Sequence, residues 1–89
     1  MLKPRQIEKI TKGVANHRRV EMMFLLSKFP ELSVIEISER LRINFKTASE
    51  HLRRLVISGM VIKRNAGSSV RHKLTKLGES TLKFLRTLE

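Results

Sequence analysis

The hydrophobic period of this 89-residue chain changes twice, from helical to alternating at Met60 and back to helical after Leu74, and few architectures fit that order. Before Met60, apolar residues recur at threes and fours, as one face of a helix requires. Met60 and Ile62, then Val70, His72 and Leu74, alternate as strand residues do, with Asn65, Ala66, Gly67, Ser68 and Ser69 forming a polar tip between them. Leu77, Thr81, Leu85 and Leu88 restore the helical period, and Leu82 and Phe84 widen the stripe. The chain therefore reads as mainly α with one small β-hairpin, and its length predicts a single domain.

Capping and breaking residues divide the helical part. Pro4 opens and Gly13 closes a short helix within residues 1–15, with Ile7 and Ile10 on one side. Asn16 caps a longer helix within 16–30, running from His17 to about Phe29 and ended by Pro30. Val20, Met22, Met23, Phe24, Leu25, Leu26 and Phe29 cover nearly all its sides, which predicts burial against two neighbours. Ser33 and Glu36 form a capping box for a helix reaching about Arg42. After a break at Ile43, Asn44 caps another helix, whose Ala48, Leu52, Leu55 and Val56 form an inward stripe that ends at Gly59. Residues 33–59 thus read as a helix-turn-helix, 60–74 as the hairpin, and 75–89, capped by Thr75, as a final helix. The order α-α-α-α-β-β-α is that of a winged helix-turn-helix.

Nineteen Lys and Arg against eight Glu, with no Asp, leave a net charge of +11 at pH 7, the footprint of a polyanionic partner. An anionic membrane surface calls for interfacial aromatics, and there is no Trp or Tyr. Single-stranded nucleic acid calls for stacking platforms, yet Phe24 and Phe84 fall in patterns that suggest core. Duplex DNA fits better. The absence of Cys excludes disulfides, thiolate metal sites and thiol nucleophiles, and His17, His51 and His72 fall on three different elements, so no metal is expected. No Ser, His and acid set, Gly-rich phosphate loop or paired carboxylates in an apolar setting is present, which predicts a non-enzyme without cofactors. The apolar run Met22 to Leu26 is far short of the roughly 20 residues of a membrane span, and a start containing Pro4 and Glu8 does not read as a secretory signal. A cytoplasmic, nucleoid-associated protein is the expectation.

From Arg19 to Thr75 the residues resemble those of ArsR-like winged-helix repressors. HRRVEMMFLLSKFPELSVIEISERL is similar to their central helix and the first helix of the motif, and INFKTASEHLRRLVISGMV to their recognition helix. There Ser49, His51, Leu52, Leu55 and Gly59 match an S-x-H-L-x-x-L-x-x-x-G run. The closing KLTKLGESTLKFL is more like the L-T-x-x-G ending of MarR- and PadR-type regulators. The resemblance implies a DNA-binding transcriptional regulator of the repressor type, working as a two-fold homodimer. It departs from the arsenic-sensing members, whose ELCVC aligns with Glu31, Leu32, Ser33, Val34 and Ile35, so both thiolates are missing.

On the recognition helix, a step of about 100° per residue turns Lys46, Thr47, Glu50, Arg53 and Arg54 outward. Lys46, Thr47, Ser49 and Glu50, near the helix start, are expected at base edges, and Arg53 and Arg54 at phosphates. For Glu50 two readings stand open, acceptance from cytosine N4 and pairing with Arg53 or Arg54. His51 is open between a structural and a phosphate-contact role, and Phe45 is expected to pack inward. Lys63, Arg64, Arg71 and Lys73, with His72 as a weaker candidate, form a basic wing for backbone or minor groove. The over-apolar helix at 17–29, the leucine-rich final helix and Ile7 with Ile10 predict a homodimer. The competing readings are a sequence-neutral architectural DNA binder, a winged-helix protein-interaction module and an RNA binder.

Overall fold

A computed structural model of the protein describes residues 2–88. In chain order it contains α1 (Pro4–Val14), α2 (His17–Lys28), α3 (Val34–Leu41), α4 (Phe45–Ile57), β1 (Val61–Ala66), β2 (Ser69–Leu74) and α5 (Lys76–Arg86), the winged helix-turn-helix order read from the sequence. The caps act as expected. Asn16 Oδ1 accepts from Arg18 N at 2.9 Å, and Asn44 Oδ1 from Lys46 N at 2.7 Å and Thr47 N at 3.3 Å. In the capping box, Ser33 N donates to Glu36 Oε1 at 2.9 Å and Glu36 N to Ser33 Oγ at 3.3 Å.

The turn between α3 and α4 is set by Arg42, whose left-handed φ of 55° lets Arg42 N reach Glu39 O and Ile43 N reach Ser38 O. Gly59, at φ 83°, does the same after α4: Gly59 N donates to Val56 O and Met60 N to Leu55 O. These stops fix where α4 begins and where the hairpin leaves it.

α2 packs against α1, α3, α4, α5 and β2, so its nearly all-round apolar surface is explained by its central place. Met22, Met23 and Leu26 from α2 meet Leu32, Ile37, Ala48, Leu52, Leu55, Met60, Val61, Leu74 and Leu82 in one core.

Several sequence expectations need correction. α1 does not stop at Gly13 but runs through it to Val14, because Gly13 lies buried against Ser58, which a Cβ there would strike. The hairpin's polar tip is only Gly67 and Ser68: β1 and β2 pair antiparallel from Val61↔Leu74 out to Ala66↔Ser69, with φ 67° at Gly67. Met60 is buried before the strand begins, so Val61 faces inward and Ile62, expected beside Met60, is 55% exposed. In α5 the residues that enter the core are Gly78 and Leu82, whereas Phe84, expected in the core, is 62% exposed. The periodicity found the helix but not which of its stripes the rest of the chain covers.

One contact had no signal in the sequence. Leu32, in the α2–α3 connection, forms a bridge to His72, with His72 N to Leu32 O at 2.8 Å and Leu32 N to His72 O at 3.2 Å. The hairpin is thereby tied to the segment that starts α3.

Candidate nucleic-acid interface

Ala48, Leu52 and Leu55 anchor α4 in the core, which leaves Lys46, Thr47, Ser49, Glu50, Arg53 and Arg54 on its exposed side. Phe45 is 53% exposed rather than packed, because the α3–α4 turn places the first residue of α4 outside the core. In the hairpin, Lys63 lies opposite His72, and Arg64 opposite Arg71. Since side chains alternate faces along a strand, Lys63 shares one face with His72, while Arg64, Arg71 and Lys73 lie on the other.

This splits the basic wing. Lys63 joins α4: with Ser49, Arg53, Val34, Val70 and His72 it lines a groove of about 290 Å³ between the helix-turn-helix and the hairpin. Arg64 and Arg71 instead turn toward the start of α3. Arg64 Nε donates to Glu31 Oε2 at 2.8 Å and its Nη2 to the other carboxylate oxygen, while Arg71 Nη1 lies 3.3 Å from Glu31 O and 3.5 Å from Glu36 Oε1. Lys73 borders a separate groove with Glu79, Lys83 and Arg86.

Glu50 is paired within its own helix. Arg53 Nε and Nη2 donate to its two oxygens at 3.0 and 2.6 Å, and Arg54 Nε to Oε1 at 3.3 Å. The Arg53 hydrogen bonds, with the charges of Arg53 and Arg54, draw its carboxyl down to about 2. Glu50 is therefore ionised at neutral pH and already satisfied, so the structure has the intrahelical pair rather than a bare carboxylate facing outward.

His51 is half-buried and accepts from Arg19 Nε at Nδ1, 3.4 Å away. Burial and then the Arg19 charge push its pKa down, against an upward pull from Glu50. Arg19 Nη1 also donates to Lys12 O at 3.1 Å and Gly13 O at 3.4 Å, so His51 belongs to a link among α1, α2 and α4.

His72 departs furthest from expectation. It is 3% exposed, and Nδ1 lies 3.1 Å from Leu32 O, so it is a buried strut under the wing and not part of its surface. Burial lowers its pKa, opposed by the Leu32 hydrogen bond and assisted by the charge of Lys63. With the folded-state value below the ordinary 6.5, the unfolded chain takes up a proton first as pH falls, so stability declines from about pH 6.5 until the folded-state pKa is passed. Melting curves from about pH 7.5 down to about pH 5 should show a falling Tm in the wild type and a weaker fall in His72→Gln. Equal slopes in the two proteins would exclude this role.

The sequence reading missed Glu31 and Glu36 as partners of the wing, having used Glu36 only as a cap. It also missed that Lys9, Lys12 and Arg19 join Arg54, with Glu8 among them, around a groove of about 300 Å³ between α1 and α4. The local signal was an excess of Lys and Arg in α1, but its adjacency to α4 depends on the Gly13–Ser58 approach. Among the described residues, no three His, Cys, Asp or Glu side chains gather where they could hold a metal ion.

The fold recurs in solved structures. Reduced HlyU from Vibrio cholerae N16961 superposes with a TM-score of 0.82 at 29% identity, over 94% of this chain and 88% of that one. The homodimeric winged helix-turn-helix DNA-binding domain Mb0332 from Mycobacterium bovis, described as a possible ArsR-family transcriptional regulator, matches with a TM-score of 0.82 at 27% identity, over 94% and 77%. The transcriptional repressor BigR from Xylella fastidiosa, at 24% identity and TM-score 0.80 over 94% and 86%, shares the fold. No curated protein matches the chain by sequence at a significant level. These are folds of transcription regulators rather than enzymes. The family described as "Bacterial regulatory protein, arsR family" matches residues 16–63, more than half of the chain, and the protein belongs to that family.

Proposed function

We propose that the protein is a sequence-specific duplex-DNA-binding transcriptional repressor that acts as a homodimer in the bacterial cytoplasm. The observation that carries the reading is the groove shared by α4 and the hairpin, where Ser49 and Arg53 stand opposite Lys63. Lys46, Thr47 and Ser49, at the exposed start of α4, are the base-reading residues, because the first turns of a recognition helix lie deepest in the major groove. Arg53 and Arg54 contact phosphates, with Glu50 holding their guanidinium groups in place rather than reading cytosine. His51 supports α4 through Arg19, and Lys63, Arg64, Arg71 and Lys73 supply the wing's charge.

The dimer reading rests on a second groove, between α1 and α5. Leu2, just before α1, Ile7 on α1, and Leu77 and Phe84 on α5 are exposed around a groove of about 340 Å³ that also includes Ile10, Thr11, Ser80 and Thr81. A contiguous apolar patch at both ends of so basic a chain is what a second copy would cover. Such a pair would set two recognition helices about 34 Å apart, one turn of duplex.

Selection of duplexes from a random pool tests this reading. The expected result is an inverted repeat with half-sites about one turn apart, and affinity that falls with salt at a log-log slope near −7 for about 8 neutralised phosphates. Equal retention of every sequence would favour the architectural binder. Binding to a protein that survives nuclease and high salt would favour the interaction module.

A further inference from the structure

Arg64 and Arg71 face each other across the two strands of the hairpin, an arrangement of like charges that is unfavourable unless something neutralises it. The neutralising groups come from the body of the domain. Glu31, thirty-three residues before Arg64, takes two guanidinium N–H bonds from it, and its backbone carbonyl accepts from Arg71. Glu36, fixed by its own capping bonds to Ser33, receives the second contact from Arg71 at 3.5 Å. Glu31 is held below the ordinary carboxylate range by the Arg64 hydrogen bonds first, and then by the charges of Arg64, Lys73 and Arg71. Of the wing's cations, the two arginines are thus already bound by acids that belong to the protein.

A guanidinium that donates two parallel bonds to a carboxylate presents the same fork to a phosphate. We propose that Glu31, seconded by Glu36, is a stand-in for DNA phosphate that occupies the wing arginines in the unbound protein, and that a phosphate of the duplex displaces Glu31 from Arg64 on binding. The inference rests on the duplex-binding reading above. Its consequence is a cost: each wing contact to phosphate must replace an existing pair, which lowers affinity for every duplex by the same factor. Glu31 thereby sets the affinity for duplex without touching DNA itself.

The test is duplex titration over a range of salt with the full chain and the variants Glu31→Gln, Arg64→Ala, their combination, and Glu39→Gln. The last removes the same charge from an exposed position on α3 where no ion pair is made among the described residues. Glu31→Gln keeps the backbone carbonyl that Arg71 uses, so folding, checked by the melting curve, is expected to persist. It should bind random and selected duplex alike about threefold more tightly per subunit, hence about tenfold for a dimer, with its salt slope nearly unchanged. Arg64→Ala should weaken binding and make the slope shallower by about one per subunit, and in that background Glu31→Gln should add nothing beyond the Glu39→Gln effect. If Arg64→Ala alters neither affinity nor slope, or if Glu31→Gln behaves like Glu39→Gln, the pair is a permanent brace and the proposal is wrong. If no variant, nor the wild type, binds duplex in a salt-dependent way, the duplex reading itself fails, and this inference fails with it.

Discussion

Replacing Lys46 and Lys63 together by Ala is expected to weaken duplex binding about a hundredfold at physiological salt, at roughly threefold for each phosphate left without its lysine, two of them in each half of a dimer. These two lysines are chosen because of what the other cations are doing. Arg53 and Arg54 are held by Glu50, Arg64 by Glu31, and Arg71 by Glu36. Lys46 and Lys63 are exposed and make no ion pair among the described residues, so their charge is available without displacing an internal partner. They also stand on two separate elements, the first turn of α4 and the hairpin face turned toward it. Fluorescence anisotropy at several salt concentrations should show the log-log slope becoming shallower by about four. The matching control is Lys28→Ala with Lys76→Ala, which removes the same charge from the ends of α2 and α5. An equal loss in the control would mean that only net charge matters and that the α4–hairpin groove is not the contact surface.

The largest expected effect on folding is that of Gly78→Ala. Gly78 is buried in the first turn of α5, where a Cβ would strike the carbonyl oxygen of Met60 and press on Leu74 at 3.1 Å. A backbone atom cannot rotate aside as a side chain can, and Met60 is held on both flanks. Its carbonyl accepts from Thr75 N at 3.0 Å, its N–H donates to Leu55 O at 2.9 Å, and Thr75 Oγ1 donates to Gly59 O at 2.6 Å while accepting from Gly78 N. Overpacking at such a site costs about 3 kcal/mol, which for a domain of this size lowers Tm by about 15 °C. Lys83→Ala, an exposed change on the same helix, should stay within about 0.5 kcal/mol. A Gly78→Ala melt within about 2 °C of the wild type would show that α5 can lift from the α4–β1 junction at little cost.

The elements of this fold were legible because the signals that start and stop them are local. Ser33 with Glu36, Asn16, Asn44 and Thr75 each satisfy backbone donors within three residues of themselves, and Gly59 supplies the one left-handed turn that α4 needs. The exposed set on α4 was legible for the same reason, since a fixed rotation per residue relates Lys46 and Arg53 to the buried Ala48 and Leu52. Wherever two distant segments had to meet, the pattern fell silent. Ile62 was assigned to the wrong face because Met60 is buried as a junction residue, one position before the strand alternation starts. His72 reads from the sequence as a weaker candidate for the wing's surface, because nothing near it shows that Leu32 will pair with it. The pairing of Arg64 with Glu31 depends on hairpin register and on the α2–α3 connection at once, so neither residue's neighbours could announce it. Phe84 and Leu77 matched a helix's apolar stripe, but a stripe does not say whether the cover comes from the same chain.

The short stretch from Glu31 to Glu36 carries three attachments in six residues: the arginine pairs, the Leu32 rung with His72, and the cap that begins α3. That density makes it the least forgiving place in the chain to change length. Adding or deleting one residue there would turn the pleat over, sending Leu32 outward or detaching the carboxylates from the hairpin while α3 shifted by a third of a turn. A spacer elsewhere, at Gly67 and Ser68 for instance, would lengthen only the tip and leave the angle between wing and recognition helix as it is.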